Sequence, residues 1–335
     1  MQTRFPILFP TVLVIMCAAA IAGVLWGTAD ISWSDRFAIL MQRDDAPRGL
    51  SLIVWQWRVP RVLAVALIGA GLALAGALMQ TALRNPMADP YLMGLSSGAS
   101  AAAVAAIIWL PSYLTDFFGV PLIAFLGAAL AFLMTLGLSQ HRGQAMDPLV
   151  VILAGVAVSL MFQSLTAFFL YVGDPHATRS AIGWLMGTAA GTEWNEVPLL
   201  AIAVVVIAFL FMAKSNALDA TLLGEERAQA LGIRTNRLRM MIFFATVLLT
   251  GLAVSVAGIV GFVGLIVPHM ARLLIGARHR VLLPMTMVLG ATVLIAVDLL
   301  CRTLLAPEEL PLGVLLALFA APPFIFILRG LRRAG

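Results

Sequence analysis

The sequence predicts an all-α integral membrane protein of about ten transmembrane helices, an expectation carried by its composition and by the spacing of its apolar runs. Hydrophobic residues make up 62% of the 335 residues and charged residues only 11%, well below the roughly 25% of an ordinary soluble domain. A bilayer core takes roughly 20 apolar residues per helix. Runs of that kind lie near residues 6–27, 62–83, 91–109, 120–139, 148–171, 197–213, 240–257, 259–276, 281–301 and 311–329. A single transmembrane domain, 1–335, accounts for the chain, and no loop is long enough to hold a soluble or nucleotide-binding domain.

The first segment, Phe5 to Trp26, follows Arg4. It exceeds the roughly 7 to 15 apolar residues of a cleavable signal peptide, so it reads as a retained span. The connection from Gly27 to Arg61 is polar, carries Asp44 and Asp45, and has room only for short helices. Small residues then crowd two segments: Gly69-Ala70-Gly71 with Ala73, Ala75, Gly76 and Ala77, and the run from Gly94 to Ala106. That composition lets helix backbones approach closely in lipid. Further on, Gly258, Gly261 and Gly264 interrupt a pair of segments, which marks a broken or re-entrant element. No internal repeat is visible.

Charge placement orients the spans. With the N-terminus inside, the inner connections hold Arg4, Arg84, Arg142, Lys214, Arg227, Arg234, Arg237, Arg239, Arg272, Arg278, Arg280, Arg329, Arg332 and Arg333. Most acids, including Asp30, Asp35, Asp116, Asp174, Glu193, Glu196, Glu308 and Glu309, fall outside. This satisfies the positive-inside rule, and an even span count puts the C-terminus inside as well. The net charge of +5 arises from short clusters between apolar segments, so no basic face for nucleic acid is expected. Cys17 and Cys301 sit in or beside apolar runs and suggest neither a disulfide framework nor a metal cluster.

Enzymatic constellations are scarce. No phosphate-binding Gly-x-x-x-x-Gly-Lys-Ser/Thr loop occurs, which excludes nucleotide hydrolysis by that route. His141, His176, His269 and His279 lie apart, without zinc-ligand spacing, and read as interfacial histidines. Asp298 is the only acid deep inside a segment, and it stands one turn from Arg302, a spacing that predicts a local ion pair.

Three polar features remain. Arg84-Asn85-Pro86-Met87-Ala88-Asp89-Pro90 forms a tight inner turn, with Asp89 before Pro90 placed to cap a helix start. Arg58-Val59-Pro60-Arg61 stands at the outer mouth of the second segment and Arg302 at the outer end of the ninth. These three outward cations suit an acidic partner. The third feature is a charged island, Lys214 to Arg239. Within it, Leu222, Leu223, Gly224, Glu225, Glu226, Arg227, Ala228, Gln229, Ala230 and Leu231 predict a short amphipathic helix stopped by Gly232. Its adjacent acids favour a protein partner over an anionic lipid surface.

These motifs together resemble the FecCD/BtuC-type permease subunits of bacterial ABC importers for iron-siderophores, haem and cobalamin. The resemblance covers nearly the full length. It rests on Arg58-Val59-Pro60-Arg61, Gly69 to Ala77 with Gln80, Arg84 to Pro90, Gly94-Leu95-Ser96-Ser97-Gly98-Ala99, the island from Leu223 to Gly232, Gly261 to Arg272, and Glu309-Leu310-Pro311-Leu312-Gly313. Met87 and Met93 replace the leucines usual at those places.

The resemblance implies a BtuC-like, type II importer fold: a ten-helix protomer in the bacterial inner membrane, paired with a second copy. Two ATP-binding cassette subunits lie below and use the ATP, and a periplasmic or lipid-anchored binding protein docks above. It further implies that Arg58, Arg61 and Arg302 receive glutamates of the binding protein, and that Leu222 to Leu231 is a coupling helix held by the ATPase. The permease itself then needs no cofactor and does no bond chemistry. An iron(III)-siderophore is the favoured cargo, with cobalamin and haem as alternatives. A secondary transporter would need an intramembrane charge relay, for which only Asp298 is available.

Overall fold

A computed structural model describes residues 5–28, 31–41, 47–139 and 147–333. Arg4, Asp30, Asp44, Asp45, His141 and Arg142 lie outside the described residues, as do the side chains of Asp116, Arg329, Arg332 and Arg333. Fifteen helices follow one another: α1 (Phe5–Leu25), α2 (Trp33–Leu40), α3 (Arg48–Leu52), α4 (Val59–Ala82), α5 (Leu95–Trp109), α6 (Ser112–Ser139), α7 (Pro148–Val172), α8 (Pro175–Leu185), α9 (Glu196–Ala213), α10 (Ser215–Thr221), α11 (Glu225–Ala230), α12 (Thr235–Ala257), α13 (Val263–Ile275), α14 (His279–Thr303) and α15 (Leu312–Arg333). No strand occurs among the described residues.

Among those residues, seven helices are long and apolar enough to cross a membrane: Phe5–Leu25, Arg48–Ala82, Gly119–Ser139, Pro148–Val172, Glu196–Ala213, Thr235–Ala257 and His279–Thr303. The other three expected segments coincide with shorter apolar helices, Leu95–Trp109, Val263–Ile275 and Leu312–Pro322.

Boundaries differ from expectation where local chemistry overrides hydropathy. The second segment starts earlier, because α3 continues through a π-helical stretch, Ile53–Arg58, into α4. α6 begins before residue 120, its two parts meeting at the non-helical Gly119 ahead of Pro121. The third segment opens with a 3₁₀ turn, Pro90–Met93, which Gly94 (φ 81°) joins to α5. α2 and α8 were not foreseen individually; they are short and amphipathic rather than uniformly apolar.

Aspartate followed by proline starts three helical pieces in the same way. The carboxylates of Asp89, Asp147 and Asp174 accept from Tyr91 N (2.8 Å), Leu149 N (2.8 Å) and His176 N (3.0 Å). Each satisfies an otherwise orphaned amide, while proline in the first turn has no N–H to lose.

α4 is the axis of the molecule. In its most apolar window 83% of residues are buried, against 11% in α1 and 22% in α7, so the bundle is built around it. α14, α12, α13 and α9 pack against it. The small residues do what their composition suggests: a Cβ on Gly69 would strike the backbone carbonyl of Gly290, and one on Gly76 that of Gly264. Such backbone contact substitutes for the hydrophobic drive that lipid cannot supply.

The interruption expected around Gly258 is a break between α12 and α13. Its freed backbone groups find partners inside the protein, as a non-helical segment in a membrane requires. The Tyr91 hydroxyl donates to Val260 O (3.0 Å) and accepts from Val260 N (3.3 Å). Thr188 N donates to Ala257 O (2.9 Å).

Candidate functional site

Two polar clusters lie at the two ends of α4. The first gathers Arg58, Arg61 and Arg302, whose partners lie between 4 and 279 positions away in sequence. Arg61 grips Glu309 through Nη1 and Nη2 (2.9 Å each) and donates from Nε to Asp298 Oδ1 (3.0 Å). Asp298 Oδ2 lies 3.1 Å from Arg302 Nε, so the expected local pair exists and is shared with α4. Arg302 Nη1 donates to Gly23 O (3.0 Å), and Arg58 Nη1 to Val24 O (3.2 Å) and Leu25 O (3.0 Å). These carbonyls close α1, whose C-terminal end carries partial negative charge that a guanidinium satisfies.

The outward projection expected of these arginines is therefore corrected. They are 5%, 8% and 3% exposed, because Asp298, Glu309 and the α1 carbonyls draw them inward. What faces outward instead is a cavity of about 310 Å³, bordered by Thr28, Trp57, Arg58, Arg61, Arg302 and Glu309. Arg36 closes its neighbourhood, with its guanidinium 4.7 Å from the Trp33 ring centre and 5.5 Å from that of Trp26. Glu309, noted in sequence only as an outer acid within a motif, is the second carboxylate of this cluster.

The second cluster is the island. Of the helix expected from Leu222 to Leu231, only Glu225–Ala230 (α11) is helical; a separate short helix, α10, ends before it at Thr221, and Leu222, Leu223 and Gly224, whose φ of 110° suits glycine alone, lie between them. As expected, the chain turns away at Gly232 (φ 80°). Ala228 is buried, whereas Leu222, Leu223 and Leu231 are 47%, 58% and 66% exposed. Glu226, Arg227 and Ala230 are exposed beside them.

Glu225 turns inward. Its Oε2 meets Arg239 Nη2 (3.1 Å) and Arg84 Nη2 (3.4 Å), and its Oε1 accepts from Thr235 Oγ1 (3.1 Å). This explains the crowding in the inner turn. Arg84 reaches the island, Asn85 Oδ1 accepts from Met87 N (2.9 Å), Asp89 caps Tyr91, and Pro86 and Pro90 stiffen the rest. Burial pushes the Asp89 carboxyl up to about 6, partly offset by the bond from the Tyr91 amide.

Beside the island, sequence reasoning missed a chain of contacts. Asp219 Oδ1 accepts from the His279 backbone N (2.9 Å) and lies 2.7 Å from His279 Nδ1, and His279 Nε2 lies 2.8 Å from Thr81 Oγ1. His279 is 1% exposed, not interfacial. Its only sequence signal is its place at the first turn of α14, where an acceptor is needed. Among the described residues no three His, Cys, Asp or Glu side chains converge as a metal site would require.

Among the described residues, polar clusters thus stand at both ends of α4 in a bundle of apolar helices. Residues 12–330 match the model of the FecCD transport family, and the chain belongs to that family. It is 39% identical to the vitamin B12 import system permease protein BtuC of Vibrio cholerae, covering 82% of each chain. It is 40% identical to the cobalamin import system permease protein BtuC of Halobacterium salinarum, covering 84% of this chain and 75% of that one. With the Fe(3+)-citrate import system permease protein YfmE of Bacillus subtilis it shares 36% identity over 83% and 82%. A solved structure described as an inward-facing conformation of a metal-chelate type ABC transporter superposes with a TM-score of 0.84 at 28% identity, covering 97% of this chain and 99% of that one.

Proposed function

We propose that this chain is the permease subunit of an ATP-driven importer that carries a bulky metal chelate into the cytoplasm across the bacterial inner membrane. The observation that carries the reading is the family match over residues 12–330. Two copies would enclose the path, with both termini cytoplasmic, two ATPase subunits on the island side and a binding protein at the arginine end. The apolar face of Leu222, Leu223 and Leu231, exposed in a segment outside the apolar helices, suits a protein cleft. Leu223, Gly224, Glu226, Arg227, Ala230, Leu231 and Gly232 would make the contact, while Glu225 holds the segment to the bundle. At the other end, carboxylates of the binding protein would enter the cavity between Arg58, Arg61 and Arg302.

Among chelates, an iron(III)-siderophore is the commonest cargo of similar permeases, whereas Ala88-Asp89-Pro90-Tyr91 resembles cobalamin permeases, and the cobalamin permeases at 39% and 40% identity stand above the iron(III)-citrate one at 36%. Cobalamin is therefore the first cargo to test. No observation favours a secondary transporter, since Asp298 is held by two arginines.

The test is co-purification. The wild-type permease should recover an ATP-binding cassette subunit, and Leu223→Glu with Leu231→Glu should lose it without unfolding the bundle. Recovery of no ATPase by the wild type defeats the proposal. Uptake of labelled cobalamin against ferric hydroxamate then assigns the chelate.

A further inference from the structure

α4 and α14 run antiparallel and touch at three levels. Arg61 bonds Asp298 at one end, Gly69 meets Gly290 in the middle, and Thr81 meets His279 at the other end. From Arg61 to Gly69 is eight residues along α4, matched by eight back along α14 from Asp298 to Gly290. From Gly69 to Thr81 is twelve, matched by eleven from Gly290 back to His279. The two helices thus form one strut, about 30 Å from Arg61 to Thr81 at 1.5 Å per residue.

The island is fastened to the lower end of this strut by Asp219. Arg278, at the helix start, offers no side-chain cap to α14, and Asp219 from α10 supplies it by accepting the His279 amide. The same oxygen faces His279 Nδ1, which donates to the carboxylate. The Thr81 hydroxyl has two acceptors within reach, Ala77 O at 2.9 Å and His279 Nε2 at 2.8 Å, and when its one proton goes to Nε2 it links the ring to α4. One imidazole therefore joins α10, α14 and α4.

We propose that Asp219, His279 and Thr81 form a positioning relay. It makes the island move with the α4–α14 strut, so that a displacement of the island reaches Arg61, Asp298 and Arg302 at the far end. The proposal rests on the importer reading, in which a partner ATPase moves the island.

The experiment uses the complete complex with its ATPase and binding protein in lipid nanodiscs. Leu305→Cys, exposed near the arginine end, carries an environment-sensitive dye on a Cys17→Ser background; Cys301 is buried and stays unlabelled. ATP with vanadate should change the dye signal in the otherwise wild-type complex. Thr81→Val, which removes only the hydroxyl, should cut that change about five- to tenfold, the span of a modest coupling between sites, while ATP hydrolysis continues. Thr81→Ser should restore it. If Thr81→Val fails to assemble, His279→Gln, which keeps the backbone bond to Asp219 but removes the ring that bridges Asp219 to Thr81, is read in the same way. A full dye response in both variants, or a loss of response in proportion to lost hydrolysis, overturns the relay. Absence of any response to ATP in the wild type overturns the importer reading instead.

Discussion

Asp298 holds two buried guanidiniums, and replacing it with alanine should be the most damaging single change at the arginine end. The carboxylate is 1% exposed, lies 2.9 Å from Arg61 Nη2 and 3.1 Å from Arg302 Nε, and those arginines are 8% and 3% exposed. Removing one member of a buried ion pair costs about 3–5 kcal/mol, because the remaining charge stays buried without its partner. Here Arg61 keeps Glu309, and Arg302 keeps the carbonyls of Gly23 and Trp26, so the expected loss sits at the lower end, about 3 kcal/mol. At roughly 2 °C per kcal/mol for a chain of this size, the unfolding midpoint in detergent should fall by about 6 °C.

Two companions sharpen the reading. Glu309→Gln should cost less than about 1 kcal/mol, because its side chain is 27% exposed and water screens the pair. Asp298→Ala combined with Arg302→Met should recover part of the lost stability, since it removes the orphaned cation as well. An Asp298→Ala midpoint within about 1 °C of wild type, or a double variant less stable than the single one, would refute the buried-bridge account.

Three further outcomes follow from the same structure. Gly69→Leu should abolish the folded species, read as loss of the monodisperse peak in size-exclusion chromatography, because its side chain would enter the backbone of Gly290; the exposed Gly183→Leu serves as the tolerated control. Asp89, whose folded carboxyl is raised to about 6, favours its neutral form in the native state, so its contribution is full below the ordinary carboxylate range and lost as pH rises through about 6. Asp89→Asn keeps the cap on Tyr91 and should flatten the fall in thermal stability between about pH 4 and 6. Glu225→Lys places three cations together with Arg84 and Arg239, and should loosen the island enough for faster amide exchange in residues 215–232, with the spans unaffected.

Much of this was legible because membrane helices write themselves into composition. The apolar segments, the Asp-Pro caps, the glycine approach on α4 and the break at Gly258 all follow from patterns within some 20 residues. What escaped is long-range. Nothing local ties Glu309 to Arg61 across 248 positions, or His279 to Thr81 across 198. Isolated His279 therefore reads as an interfacial histidine, and Asp219 is not singled out at all. The island was found, but its helix was read as Leu222 to Leu231 where α11 spans Glu225–Ala230, because a six-residue helix has too few turns for a periodic pattern to fix its ends.

The distribution of these long-range pairs has a physical reason. Between helices in lipid, apolar side chains gain nothing by leaving one hydrocarbon environment for another, so register has to be set by shape and by polar contacts. On α4 and α14 the shape term is Gly69 against Gly290, and the polar terms are Arg61 with Asp298 and Thr81 with His279. A slip of one residue turns a helix face by about 100° and breaks all three together. The strut therefore cannot slide internally at low cost. Motion across the bundle has to be carried by rigid displacement of this pair, and it takes the C-terminal end of α1 with it, because Arg58, just before α4, and Arg302 of α14 hold the carbonyls of Gly23, Val24 and Leu25.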